Sequence, residues 1–171
     1  MHGLKACLVA PTAIIRGVGM TFGMDVVESE GATGYYDSNL EGKMTTMASA
    51  IVDYDFGFVH VKAVDDAGHD KSLSHKVEQL SKSDKAIGTL LDSLHSDFIL
   101  CVTGDHTTPV NYGDHSHEPV PIAIGRASDI RNSLKSPQIP FDEIAMSRGR
   151  LGRFSGHEIM GVLKAYREHL I

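Results

Sequence analysis

The stretch FGFVHVKAVDDAGHDKSLSHKVEQLSKSDKAIGTLLDSLHSDFILCVT, residues 56–103, decides the architecture. Phe56 to Lys62 is an apolar, β-branched run that reads as a strand. Lys71 to Leu94 then carries Val77, Leu80, Ile87, Leu90, Leu91 and Leu94 on one helical face, with Lys76, Glu78, Lys82 and Asp92 mostly on the other. Asp97 to Thr103 is strand-like again. A strand, a long crossover helix and a second strand predict a right-handed βαβ unit with neighbouring parallel strands.

The same alternation continues outward and predicts a single α/β domain spanning residues 1–171. Upstream, Lys5 to Ala10 reads as a strand, Ala13 to Phe22 as a helix and Met24 to Glu28 as a second strand. Ser38 and Glu41 have the S-x-x-E spacing of a capping box. Leu40, Met44, Met47 and Ile51 then recur along one face of the helix it would start. Downstream, Val120 to Gly125 makes a short strand, and Asp129 to Met146 reads as a surface excursion rich in Ser, Pro and charge. Ser155 and Glu158 form a further capping box before Ile159, Val162, Leu163 and Tyr166. No internal repeat is present.

With 171 residues, 42% of them hydrophobic and 22% charged, the chain has the makings of one real core. The formal charge of −6 and the scattered Lys and Arg give no basic footprint, so nucleic acid is not an expected partner and a small ligand is. Cys7 and Cys101 each sit in an apolar run, as reduced buried thiols do, which points to the cytoplasm. No run approaches a membrane span, and residues 1 to 15 lack the parts of a signal peptide.

Chemistry concentrates in two places. Asp65-Asp66-Ala67-Gly68-His69 contains D-x-x-x-H, and Gly104-Asp105-His106-Thr107-Thr108-Pro109 is followed closely by Asp114-His115-Ser116-His117. Both read as glycine-containing loops after strands, at the sheet edge where open α/β folds bind ligands. An aspartate after a strand is by itself more often a cap or turn residue. Five carboxylate and imidazole donors converging, Asp65, His69, Asp105, His106 and His115, are a metal-site composition, with three able to hold one divalent cation and two to begin a second. Neither cysteine is among them, which argues against a structural thiolate zinc site. His60 and His95 are set aside as surface or core histidines. Gly149 and Gly152 with Arg148, Arg150 and Arg153 could approach an anion, although a solvated basic loop is the commoner meaning of such a cluster.

These residues also resemble a known family. The runs ATGYYD at 32–37, VHVKAVDDAGHD at 59–70, GDHTTP at 104–109, DHSHEPVP at 114–121 and GRLGRFSGHEIM at 149–160 are similar, in order and spacing, to cofactor-independent phosphoglycerate mutases of the archaeal type, within the alkaline phosphatase superfamily. The resemblance covers this whole chain but only the carboxyl-terminal part of the family's chain. It implies a partial alkaline-phosphatase-like, doubly wound, mostly parallel sheet flanked by helices. It also implies two divalent metal ions, manganese or zinc first and cobalt or magnesium next.

By the resemblance, Asp65, His69 and His115 hold one ion and Asp105 and His106 the other. In the family that second ion is also bound by an early aspartate and by the serine nucleophile that carries the phosphoryl group between 2-phosphoglycerate and 3-phosphoglycerate in glycolysis. Neither element has a match here, so the chain alone is expected to be inactive. A half-sheet with an exposed edge and apolar face is expected to self-associate or to pair with a complementing chain. His117 departs from the family's usual small residue. A non-catalytic metal-binding or assembly module is the competing expectation, and a related metal-dependent phosphatase or sulfatase a third.

Overall fold

A computed structural model describes residues 3–133 and 139–168. The chain divides into two compact units, one of Met1–His95 with Thr108–His115, the other of Ser96–Thr107 with Ser116–Ile171.

The first unit is built on a three-stranded parallel sheet. Its strands are β1 (Ala6–Val9), β2 (Asp25–Val26) and β3 (Phe56–Val59), in the order β2-β1-β3. The helices are α1 (Ala13–Thr21), α2 (Leu40–Ala50), α3 (Ala63–His69) and α4 (Leu73–Ser93). β1 pairs on both sides, Cys7 opposite Asp25 and Gly57, and Cys7, Leu8 and Val9 are at most 1% exposed. A central parallel strand covered on both faces reads as a continuous apolar run, which is why Ala6–Val9 shows no alternation. Leu40, Met44, Met47 and Ala48 of α2 and Ala86, Leu90 and Leu91 of α4 complete this core. The α/β class, with a parallel sheet flanked by helices, is therefore what the residues adopt.

Three local readings change in this unit. The D-x-x-x-H element lies on α3, not on a loop, so Asp65 and His69 are i,i+4 neighbours on one helical face. Gly68 argued for a loop, yet it sits inside the helix, where a Cβ would crowd Thr108 of the facing segment. Helix α2 is capped one residue later than expected. The Asn39 side chain accepts from Gly42 N at 2.8 Å, while the Ser38 hydroxyl donates to Thr33 O. On α4 the expected stripe holds only in its second half. Val77 and Leu80 are exposed, whereas Gln79 is buried with its amide donating to Tyr36 O. Periodicity fixes the repeat of an apolar face, but the neighbouring elements decide where along the helix that face is covered.

The second unit contains β4 (Ile99–Thr103), β5 (Ile122–Arg126), α5 (Ala127–Ser133), α6 (Glu143–Met146) and α7 (Ile159–Glu168). β4 was expected beside β3 as a parallel neighbour. It pairs instead antiparallel with β5, Cys101 opposite Ile124, in a separate two-stranded sheet. A crossover helix is compatible with a parallel return but does not enforce one, because the partner of a strand is a tertiary choice. Asp97 anchors the turn after β5, accepting from Arg126 Nη1 at 3.1 Å and from Ser128 N at 3.0 Å. The expected excursion from Asp129 contains the end of α5 and the short α6, and its residues 134–138 lie outside the described residues. The second capping box is formed as read: Glu158 Oε2 accepts from Ser155 N at 2.8 Å, leading through a 3-10 turn into α7.

Cys7 and Cys101 are free thiols, Cys7 fully buried. Burial pushes both above the ordinary thiol pKa. Among the described residues, no helix is long and apolar enough to cross a membrane.

Candidate metal centre

In the first unit, α3 follows β3 after a three-residue link and presents Asp65 and His69 from one face. Segment 108–115 returns against that face. Thr108 is only 4% exposed, and its carbonyl accepts from Lys76 Nζ of α4 at 2.6 Å. A Cβ at Gly68 would stand 2.3 Å from that carbonyl oxygen, so only glycine lets the segment lie this close to α3. Pro109 O then accepts from Gly113 N at 2.8 Å, and Gly113 takes the left-handed φ of 78°. This turn delivers His115.

Three donor atoms result. Nε2 of His69 and Nε2 of His115 are 3.1 Å apart, and Oδ1 of Asp65 lies 3.4 Å from the first and 3.5 Å from the second. Ligand atoms at about 2.0–2.1 Å from a tetrahedral zinc are roughly 3.3–3.4 Å from one another. The side chains are thus already spaced as ligands to one small divalent ion would be. His69 Nδ1 lies 3.2 Å from Gly113 O. A carbonyl offers no proton, so Nδ1–H donates and Nε2 keeps the lone pair that a metal needs.

Asp65 is held as an anion. Burial pushes its pKa up, but the Thr108 hydroxyl, which donates to Oδ1 at 2.6 Å, and the Lys62 ammonium outweigh it and keep the carboxyl below the ordinary range. Lys62 Nζ reaches Asp65 Oδ2 at 3.2 Å and Asp66 Oδ1 at 2.5 Å. Beyond His69, Asp70 caps the helix and accepts from the hydroxyls of Tyr36 at 2.6 Å and Tyr35 at 2.7 Å. These contacts hold Asp70 low, while burial first and Asp70 second push Tyr36 up.

The other two sequence-derived donors belong to the second unit. Asp105 and His106 follow β4, with His106 Nε2 at 3.5 Å from Asp105 Oδ2 and His106 N donating to Asp105 Oδ1 at 3.1 Å. Asp105 is well exposed and His106 half-buried. Nearby, the Thr107 and Ser116 hydroxyls share a hydrogen bond at 2.6 Å. His117 is exposed. The basic loop contributes Gly149, Arg150, Leu151 and Gly152 to a cleft of about 200 Å³ against Ile122, Ala123, Ile124 and Met146. The sequence reading passed over Thr108, Lys62 and Lys76. Thr108 and Lys76 act on Asp65 or its partner loop through tertiary contacts, whereas Lys62 is a local neighbour, at i,i+3 and i,i+4 spacing to Asp65 and Asp66.

Comparison with known proteins bears on the family. A curated 2,3-bisphosphoglycerate-independent phosphoglycerate mutase of Methanopyrus kandleri is 40% identical over 165 residues, which is 95% of this chain and 38% of that protein. The corresponding protein of Archaeoglobus fulgidus is 38% identical, again over 38% of its length. The chain thus spans well under half the length of the curated relatives it matches. A solved protein of Pyrococcus horikoshii superposes with a TM-score of 0.84 at 36% identity, over 95% of this chain and 48% of that one. The family model described as Metalloenzyme superfamily matches residues 1–164. Fold, donor geometry and sequence together place this chain in the Metalloenzyme superfamily, with archaeal cofactor-independent phosphoglycerate mutases among its relatives.

Proposed function

We propose that this chain is the metal-binding part of a cofactor-independent phosphoglycerate mutase, an isomerase that interconverts 3-phosphoglycerate and 2-phosphoglycerate in cytoplasmic glycolysis. The observation that carries the reading is the mutual spacing of Asp65 Oδ1, His69 Nε2 and His115 Nε2 at 3.1 to 3.5 Å in a chain 40% identical to such an enzyme. Asp65, His69 and His115 are the proposed holders of one divalent ion, and Asp105 and His106 contribute to a second. Manganese or zinc suits this mixture of imidazole and carboxylate, with cobalt or magnesium also compatible. When bound, such ions supply positive charge to phosphoryl oxygens and favour an ionised nucleophile.

The chain's own residues prepare that charge. Thr108 and Lys62 keep Asp65 anionic, and Gly113 O sets the His69 tautomer. The serine that would carry the phosphoryl group has no counterpart in the motifs shared with the family, so the 171 residues alone turn over no phosphoglycerate. Coupled assay of the chain with manganese, with and without the amino-terminal part of a relative added in trans, tests this. The expected result is turnover only in the mixture; turnover by the isolated chain refutes it.

One observation also favours an assembly role. Ile14 and Val18 of α1 and its C-cap residue Phe22 follow one another at four-residue spacing with 78%, 50% and 66% exposure, an apolar stripe suited to a second copy or a complementing chain. Light scattering at micromolar concentration decides it: a monomer that binds no apolar dye counts against any such partner.

A further inference from the structure

The two oxygens of Asp65 have different neighbours. Oδ1 accepts from Thr108 Oγ1 and faces both imidazoles, whereas Oδ2 accepts from Lys62 Nζ at 3.2 Å. Lys62 is fixed there by the helix itself. It occupies the N-cap position of α3, its carbonyl accepts from Asp65 N at 2.8 Å, and its ammonium is shared with Asp66 Oδ1 at 2.5 Å. The Lys62 side chain is 32% exposed and that of Asp65 22%, so the contact is partly shielded from water.

We propose that Lys62 determines which cation the three-donor site takes, by occupying Oδ2 and leaving Asp65 a single oxygen to offer. The inference rests on the metal-binding reading above and deepens it. A set of two imidazoles and one carboxylate oxygen suits a small ion content with four ligands, such as zinc. Larger or more oxygen-seeking ions gain from a carboxylate that binds through both oxygens, and that mode needs Oδ2. Lys62 is thus a specificity-determining residue that acts through Asp65.

The test is competitive titration of zinc chloride and manganese chloride, with manganese also followed by its paramagnetic resonance signal. The protein is the full chain carrying Asp105→Ala and His106→Ala, so that only Asp65, His69 and His115 respond. Lys62→Met is expected to narrow the zinc-over-manganese preference about 10-fold, the scale on which groups behind a ligand act. Lys62→Arg, which keeps a cation on Oδ2, is expected to retain the original preference, and a thermal melt of each variant shows that it folds. If Lys62 contributed only its charge, removing it would strengthen both ions by one factor; if it only oriented the helix, both would weaken together. Either result leaves the ratio unchanged and overturns the proposal. If the parent chain binds neither ion, the metal-binding reading fails and this inference with it.

Discussion

Nε2 of His69 and Nε2 of His115 face each other at 3.1 Å, although they arrive from a helix and from a loop 46 residues later in the chain. Their ring centroids are 4.9 Å apart and tilted, with the Asp65 carboxylate completing the triangle. Without a cation, the two nitrogens share at most one proton between them; a divalent cation would take a lone pair from each. His69→Ala or His115→Ala is therefore expected to weaken zinc binding at least about 100-fold, more than loss of a supporting group would. Both side chains are substantially exposed, so the melting temperature without metal should barely move. Calorimetric titration beside a thermal melt checks this, and undiminished zinc affinity in either variant would remove that histidine from the donor set.

Thr108 acts one step behind Asp65. Thr108→Val keeps the shape but removes the hydrogen bond to Oδ1, and metal affinity should fall about 10-fold or more. Thr108→Ser should restore most of it. Equal affinities for the valine and serine variants would show that the hydroxyl does not position the carboxylate.

Gly68 tests the packing of segment 108–115. A methyl group there would lie 2.3 Å from Thr108 O and 2.7 Å from Thr108 Cγ2, and backbone cannot give way as a flexible side chain does. Gly68→Ala should cost about 1–3 kcal/mol of stability. It should also displace His115, so zinc affinity falls along with the denaturant midpoint. An unchanged midpoint would mean that the approach of the two segments is looser than described.

Lys43 gives a pH dependence remote from the donors. It is fully buried on α2, with Nζ donating to His60 O at 3.3 Å and Thr33 O at 3.4 Å, and burial pushes its pKa down to about 8. An unfolded lysine titrates near 10.4, so in between the unfolded chain holds the extra proton and stability rises with pH. The cost of the buried charge is complete below about pH 8 and is relieved above it. From about pH 7.5 to 9.5 the gain should be roughly 1–2 kcal/mol, since each pH unit between the folded and unfolded values is worth about 1.36 kcal/mol. Lys43→Met should abolish the rise. Parallel denaturation curves with the same slope against pH in both proteins would refute it.

The cap of α2 separates two adjacent residues. Asn39→Ala should cost about 1 kcal/mol because its side chain holds Gly42 N, whereas Ser38→Ala removes only a bond to Thr33 O and should cost less. Thermal melts of the two variants compare them, and the reverse order would return the cap to Ser38.

Where the sequence succeeded, the information was local. Ala6–Val9 is apolar throughout because the central strand is covered on both faces, and Leu40, Met44 and Met47 repeat at the period of the helix they form. Glu158 reaches back to Ser155 within one turn, so its capping box was legible in four residues. The reading of β4 failed because the choice between β3 and β5 as a neighbour depends on contacts distant in sequence. Gln79 inside and Val77 outside on α4 went unread for the same reason: Tyr36 O, far upstream, supplies the acceptor for the buried Gln79 NH2 group.

By itself, then, the sequence determined the alternating elements and the residue types able to bind a cation, since helix period, capping and donor chemistry are written in neighbouring residues. Only the tertiary structure decided that Asp65, His69 and His115 meet within hydrogen-bonding distance, and that Thr108 and Lys62 divide the two oxygens of one carboxylate between them. Such distances are set by how α3, α4 and segment 108–115 pack, through the missing side chain of Gly68 and the reach of Lys76, and packing of that kind has no signature along the chain.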